Sequence, residues 1–461
     1  MVDLIVLACV VFAFGIVSRR LEGTVLTAPI VFVLAGVVLG PAGLGLVEMG
    51  LDDHAVLLLG EIALALVLFT DAARTDLSAL RRNKALPLRL LGIGMPLTIA
   101  LGTILAAMLL AGLTVWEAAI VATVLAPTDA ALGQAVVSNP RVPVRVRQAL
   151  NVEAGLNDGL SVPFLALFLI LAEADDGQLP ARAWARFALE QVGLGALVGV
   201  GIGLAGGWLV AWASRKGWMT GAFQRLALLA LALIAWALAD QIGGNGFIAA
   251  FVGGLAVGPT AKSAGEQLIR FTDAEGQLLS LSVFFVFGAL AIGLIRPLSW
   301  EVALYALLSL TAIRMLPVAL SLLRTRLAWV SVLFAGWFGP RGLASIVLGL
   351  IVVAETPHLA GRNHIEMVVA STVLLSVLLH GITSAPLSAA YARRMEGMAT
   401  DAPEKQGAVD ASTRPSFARS LLELAKEALR DAGLEVASNA MIWVTYRSRA
   451  VTESHTGKVR S

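Results

Sequence analysis

Long apolar runs dominate this chain and limit what it can fold into. Residues 2–18, 24–41, 55–73, 88–112, 116–138, 146–172, 187–213, 223–240, 244–259, 276–295, 300–323, 327–354 and 365–391 are predominantly apolar. Most approach or exceed the roughly 20 residues a helix needs to cross the hydrocarbon core of a bilayer. A water-soluble domain carries about a quarter charged residues, whereas here 14% are charged and 58% hydrophobic. Strands of a membrane barrel alternate over ~10 residues, and these runs do not. The expected fold class is an all-α polytopic membrane protein of about 13 transmembrane helices. The opening MVDLIVLACVVFAFGIVSRR lacks the basic start of a cleaved signal peptide and reads as the first span. Its Cys9 is the only cysteine, so no intramolecular disulfide is possible.

The basic residues alternate in phase with these spans. Arg19 and Arg20, Arg81 and Arg82, Arg145 and Arg147, Arg324 and Arg326, and Arg393 and Arg394 all follow odd-numbered spans. Even-numbered spans are followed only by Arg182, Arg186, Arg296 and Arg362. Lys and Arg favour the cytoplasmic side, which places the N-terminus outside and the C-terminus in the cytoplasm of a cell (inner) membrane. The net charge of +2 makes no electrostatic case for a nucleic-acid partner. Residues 1–395 form the expected membrane domain and 396–461 a cytoplasmic tail. Within the tail, 396–415 is polar, with Pro403 and Pro415, and reads as a linker. Residues 416–432 put Phe417, Leu421, Leu424, Ala425 and Ala428 on one helical face.

Two spans carry signals against a continuous helix. The fifth contains Pro127 followed by Asp129, and the twelfth contains Pro340 followed by Arg341, flanked by Gly336, Gly339 and Gly342. Proline removes a backbone donor and blocks a carbonyl, and such breaks survive in lipid only when buried or lining a cavity. Interrupted helices in corresponding halves point to the binding site of an inverted-repeat transporter. A seven-span offset fits two repeats, spans 1–6 and 8–13, joined by span seven. Span six adds Glu153, Asn157 and Asp158. A carboxylate at membrane depth costs about 2.5–3.5 kcal/mol on insertion scales, so this density suggests a water-accessible ion or proton site. Glu153 and Asn157 are spaced i, i+4 and share a face, while Asp158 lies about 140° around the helix from Glu153. A buried guanidinium needs a carboxylate, which makes Arg341 the expected structural partner of Glu153 and leaves Asp158 free to titrate. Burial favours the protonated carboxyl and a bound cation favours the carboxylate, the competition an antiporter needs. Asp71, closing span three, fits either a cavity or a cytoplasmic helix end. Arg314 reads as structural pairing or snorkelling, and His380 has no clustered His or Cys to make a metal site.

LFTDA at 68–72, APTDA at 126–130, NVEAGLNDG at 151–159 and FGPRGLASI at 338–346 together resemble the NhaP-type monovalent cation/proton antiporters of the CPA superfamily. The likeness covers roughly residues 1–395. It implies crossed, unwound helices in a core domain, a dimerisation domain and hence a homodimer, and elevator-like alternating access. It further implies proton/cation exchange at Asp158 with Thr128 and Asp129 nearby, an acidic group at Asp71 near the substrate, a Glu153–Arg341 pair, and electroneutral exchange with Asn157 where the electrogenic branch has a second aspartate. The substrates would be protons and Na⁺, K⁺ or Li⁺, in a role in pH homeostasis, with a monovalent cation at Asp158 and no cofactor. Many members have a serine where this chain has Ala154. Within transport, the alternative is a K⁺-selective exchanger. An intramembrane aspartyl protease would need Gly-x-Gly-Asp, where residues 155–158 read Gly-Leu-Asn-Asp. No filter-like TVGYG and no GxxxxGK[ST] occurs. The chain is therefore expected to be a transporter rather than an enzyme.

Overall fold

A computed structural model describes residues 2–21, 24–48, 54–75, 85–129, 132–133, 136, 139, 141–174, 181–264, 267–356, 358–398 and 402–404. The chain divides into two units, Met1–Ala408 and Val409–Ser461. The second unit, and with it the amphipathic helix expected at 416–432, lies outside the described residues.

No strand occurs among the described residues. The helices are α1 (Val2–Leu21), α2 (Ala28–Leu39), α3 (His54–Arg74), α4 (Ala85–Leu109), α5 (Val115–Val124), α6 (Val144–Ala174) and α7 (Ala181–Arg215). They continue as α8 (Gly221–Gln241), α9 (Gly246–Ala264), α10 (Gln267–Leu294), α11 (Trp300–Ser321), α12 (Trp329–Trp337), α13 (Leu343–Glu355) and α14 (Arg362–Glu396). Nine helices among the described residues contain stretches long and apolar enough to cross a membrane, and Ala28–Leu39, Val115–Val124, Gly246–Gly258 and Leu343–Ala354 are shorter apolar helices.

Local chemistry explains several boundaries. Pro29 sits in the first turn of α2, where its missing N–H costs nothing. Thr114 and Glu117 form a reciprocal capping box that starts α5. In α4 a π-helical turn at Leu90–Gly94 stands just before Pro96, the kind of widened turn that absorbs a proline. Within α11 the backbone leaves helical geometry at Thr311, with φ −111° and ψ −94°, three residues before Arg314.

Helices meet through small residues. An added Cβ on Gly195, Gly199 or Gly203 of α7 would come within 2.6 Å of the carbonyl of Asn245, Ala249 or Gly253 on α9. Gly254 of α9 fits in the same way against Phe69 of α3, and Gly288 of α10 against Val33 of α2. In lipid, such close backbone approach replaces the hydrophobic drive that packs soluble helices. Phe69, Phe284, Phe285, Val347 and Val373 lie at the packed centre, whereas α1 buries no residue fully.

The stretch expected to be a free linker is partly docked. Glu404 is fully buried, and its Oε1 accepts from Ala328 N at 2.7 Å and Ser331 Oγ at 2.9 Å. Arg145 Nη1 donates to the Pro403 carbonyl at 2.8 Å. A carboxylate is favourable at a helix N-terminus, and Ala328 is the N-cap of α12, so Pro403 and Glu404, within the expected linker 396–415, are held against Arg145 and the start of α12.

Candidate functional site

Two helices stop inside the protein. α5 ends at Val124 and residues 125–129 are not helical, while five residues, 338–342, separate α12 from α13. Each break leaves backbone groups without helical partners, and each supplies what the other lacks. Arg341 is completely buried, and its Nη1 donates to the carbonyls of Ala126 at 2.6 Å and Pro127 at 3.0 Å. Asp129 Oδ2 accepts from Leu343 N, the first amide of α13, at 2.8 Å, and its Oδ1 accepts from Leu132 N at 2.9 Å. The backbones also join directly, Asp129 N donating to Pro340 O at 2.7 Å. A cation thus sits at a helix C-terminus and an anion at a helix N-terminus, the favourable sense for both dipoles. Gly342 makes this possible, because an added Cβ would overlap the Asp129 carboxylate. Gly339 serves likewise for the Arg314 guanidinium. Neither glycine adopts a positive φ, so close approach, rather than loosening of the helix, is what they provide.

The expected Glu153–Arg341 pair is replaced by another. Glu153 Oε1 accepts from Arg314 Nη1 at 2.5 Å, and both side chains are buried. Arg341 directs its donors at the carbonyls freed by the α5 break and at Ser309 O, 3.5 Å away. The physical reason is that the break creates acceptors no helical N–H can reach, and Arg341 is the group adjacent to them. Arg314 then supplies the charge Glu153 needs.

On α6, Asn157 Nδ2 donates to Thr128 Oγ1 at 2.6 Å, tying this helix to the α5 break beside Pro127. Asn157 Oδ1 and Asp158 Oδ1 are buried and accept no hydrogen bond among the described residues. Buried polar atoms are nearly always paired, and these two oxygens on adjacent residues could together coordinate a cation, with Asp158 also able to take up a proton. Gly159 admits the Phe251 ring, which an added Cβ would overlap. Asp71 lies across from Gly155, where an added Cβ would be 3.8 Å from Asp71 Cβ. Gly155 and Asp158 are spaced i, i+3, so Asp71 faces the same side of α6. Its side chain is 23% exposed, with Oδ1 4.0 Å from Arg74 Nη1. The apolar cleft bounded by Gly60, Phe287, Ile346 and Gly349 contains none of these groups.

Sequence reasoning did not find Ser376, which accepts from Arg341 N at 2.6 Å. It also missed buried Glu117, whose Oε1 accepts from Gly361 N at 2.6 Å and whose Oε2 accepts from Thr114 N at 2.7 Å. The Thr-x-x-Glu signature at 114–117 was the available signal; for Ser376 there was none.

A family model described as sodium/hydrogen exchanger, transmembrane, matches residues 5–390. The chain belongs to this family. It is 29% identical over 391 residues to the K(+)/H(+) antiporter NhaP of Alkalimonas amylolytica, covering 82% of this chain and 65% of that protein. To the K(+)/H(+) antiporter NhaP2 of Shewanella sp. (strain ANA-3) it is 26% identical over 399 residues, covering 81% of this chain and 64% of that protein. The chain therefore spans slightly less than two thirds of the length of these relatives. In fold it is similar to the sodium proton antiporter MjNhaP1 from Methanocaldococcus jannaschii at pH 8, with a TM-score of 0.70 and 20% identity, covering 86% of this chain and all of that one. The described residues are thus similar in fold to that antiporter.

Proposed function

We propose that the protein is a secondary transporter that exchanges a monovalent cation for a proton across the cell membrane by alternating access. The observation that carries this reading is the buried Asp158 with its unpartnered Oδ1 beside the two helix breaks. One carboxylate can hold a proton or a cation, and competition between them couples the two fluxes. Asn157 Oδ1 is the second free oxygen, Thr128 orients Asn157, and partly exposed Asp71 marks the approach from solvent. Asp129 and Arg341 stay fixed in the crossing while Asp158 changes partner. The reading includes thirteen crossings in two inverted repeats, an outside N-terminus, a cytoplasmic C-terminus and a homodimer. Na⁺ and K⁺ are both candidate substrates, the latter favoured by the names of the two relatives.

Reconstitution into proteoliposomes with an imposed pH gradient tests it, adding Na⁺, Li⁺ and K⁺ in turn. Dissipation of the gradient by at least one of these ions is expected. A gradient that none of them alters, from protein shown to be folded and inserted, would overturn the reading.

A further inference from the structure

The break between α12 and α13 has two ends, and both are held by α14. At one end the Trp337 carbonyl closes a tight turn with Gly339 N at 2.8 Å and also meets His380 Nε2 at 2.9 Å. At the other, Arg341 N donates to Ser376 Oγ at 2.6 Å. Ser376 and His380 are spaced i, i+4, and Ser376 Oγ lies 3.1 Å from His380 Nδ1. The Trp337 indole donates to Thr383 Oγ1 at 3.0 Å, and its ring packs on the His380 imidazole at 5.1 Å between centroids. His380 and Ser376 are both completely buried.

Donor and acceptor roles in this chain follow from the atoms. A carbonyl can only accept, so His380 Nε2 carries the hydrogen that faces Trp337. With one ring proton there, Nδ1 accepts from the Ser376 hydroxyl. The same hydroxyl oxygen accepts from Arg341 N, which can only donate. The tautomer is thus assigned by the network, and the network spans the break. Its far end reaches the site, because the Arg341 side chain donates to Ala126 and Pro127, and neighbouring Thr128 accepts from Asn157.

We propose that His380 and Ser376 are positioning residues for exchange, fixing the two ends of the α12–α13 break so that Arg341, Thr128 and Asn157 hold their places. This rests on the exchange reading above. A doubly protonated ring would instead turn Nδ1–H toward the Ser376 carbonyl, also at 3.1 Å, and leave the Ser376 hydroxyl hydrogen without its Nδ1 acceptor, so that the hydroxyl is no longer oriented from His380.

The test uses the full chain in two arms. In proteoliposomes, His380→Leu and Ser376→Ala should each raise the cation concentration for half-maximal exchange about tenfold, the effect expected when a buried backbone group loses its partner. His380→Gln keeps a donor near Nε2 and should stay within about threefold. Equal impairment of the Leu and Gln variants, or an unaltered Ser376→Ala variant, would overturn the proposal. The second arm is ¹⁵N NMR of histidine-labelled protein, with the His380 signal among five histidines assigned by its loss in His380→Gln. An Nε2–H ring at neutral pH is expected, with its Nδ1 signal displaced by Ser376→Ala. An Nδ1–H ring or an imidazolium overturns the clamp. This arm requires no transport, so an inactive wild-type protein would refute exchange while the clamp is still decided. Should His380→Leu not fold, the Gln and Ser376→Ala variants carry the test.

Discussion

The crossing of the two breaks and the adjoining face of α6 treat charge in opposite ways. At the crossing, both Asp129 oxygens accept backbone amides and the Arg341 guanidinium covers backbone carbonyls. On α6, Asp158 Oδ1 and Asn157 Oδ1 are buried without donors among the described residues. The Asp129 carboxylate, with a donor on each oxygen, resists change, because losing a buried partner costs the full desolvation of what remains; Arg341 keeps one buried nitrogen, Nε, without a partner, and is held through Nη1. Unsaturated groups exchange partners cheaply. In the exchange mechanism proposed above, the two regions would divide the labour, one holding the interrupted helices together and the other left open for ions.

The largest expected effect comes from removing the open carboxylate. Asp158→Asn keeps the shape but cannot hold a proton and a cation alternately. Exchange should fall below detection while the melting temperature in detergent stays at the wild-type value or above it, since no satisfied hydrogen bond at Oδ1 is lost. Full dequenching of a proton-gradient dye by this variant on cation addition would remove Asp158 from the mechanism.

Next comes the buried pair. Breaking such a pair by removing one partner typically costs about 3–5 kcal/mol. Glu153→Ala and Arg314→Ala should both melt earlier, and the double variant should lose less than the two singles combined. A thermodynamic cycle that couples Glu153 to Arg341 more strongly than to Arg314 would contradict the observed partnership.

A smaller effect is expected from Gly342→Ala. The new methyl group overlaps the Asp129 carboxylate, and overpacking of this kind costs about 1–3 kcal/mol. Melting should drop by less than in the Glu153 variants, with slower exchange. An unaffected Gly342→Ala protein would mean that Asp129 need not sit so close to α13.

The sequence made the membrane class legible because lipid demands long apolar runs, and those runs recur as helices. Both breaks were visible because proline and charge together are rare at membrane depth. Which arginine meets Glu153 was not legible. Arg314 and Arg341 are both intramembrane guanidinium groups, and only the three-dimensional crossing shows that Arg341 is committed to the carbonyls of Ala126 and Pro127. Docking of Glu404 was hidden for a related reason. Its partners, Ala328 N and Ser331 Oγ, lie more than seventy residues away, and nothing in a polar, Pro-containing stretch announces a buried N-terminal cap. α2 packs against α10 and α3 against α9, pairings of segments far apart in the chain that periodicity alone could not display.

The smallest expected effect is none at all, and it probes whether the saturated region stays fixed during the cycle. If Asp129 and Arg341 keep their partners and Asp71 stays charged beside Arg74, Asp158 is the one carboxylate among those described at this centre that changes charge. Asn157, beside it, has no proton to give. One site then carries one proton in one direction or one monovalent cation in the other, and no net charge crosses the membrane. A transported elementary charge would feel about 2.3 kcal/mol per 100 mV, enough to shift the flux balance visibly. In proteoliposomes clamped with valinomycin and K⁺, Na⁺-driven proton flux should therefore be the same at zero and at imposed voltage, provided Na⁺ is a substrate in the first assay. A reversal potential that moves with voltage would show a second titrating group. Asp71, partly exposed on the same side of α6, and Asp129 would be the candidates, and loss of the voltage dependence in Asp71→Asn would assign it to Asp71, whereas its persistence would require Asp129 to give up its place among the fixed charges of the crossing.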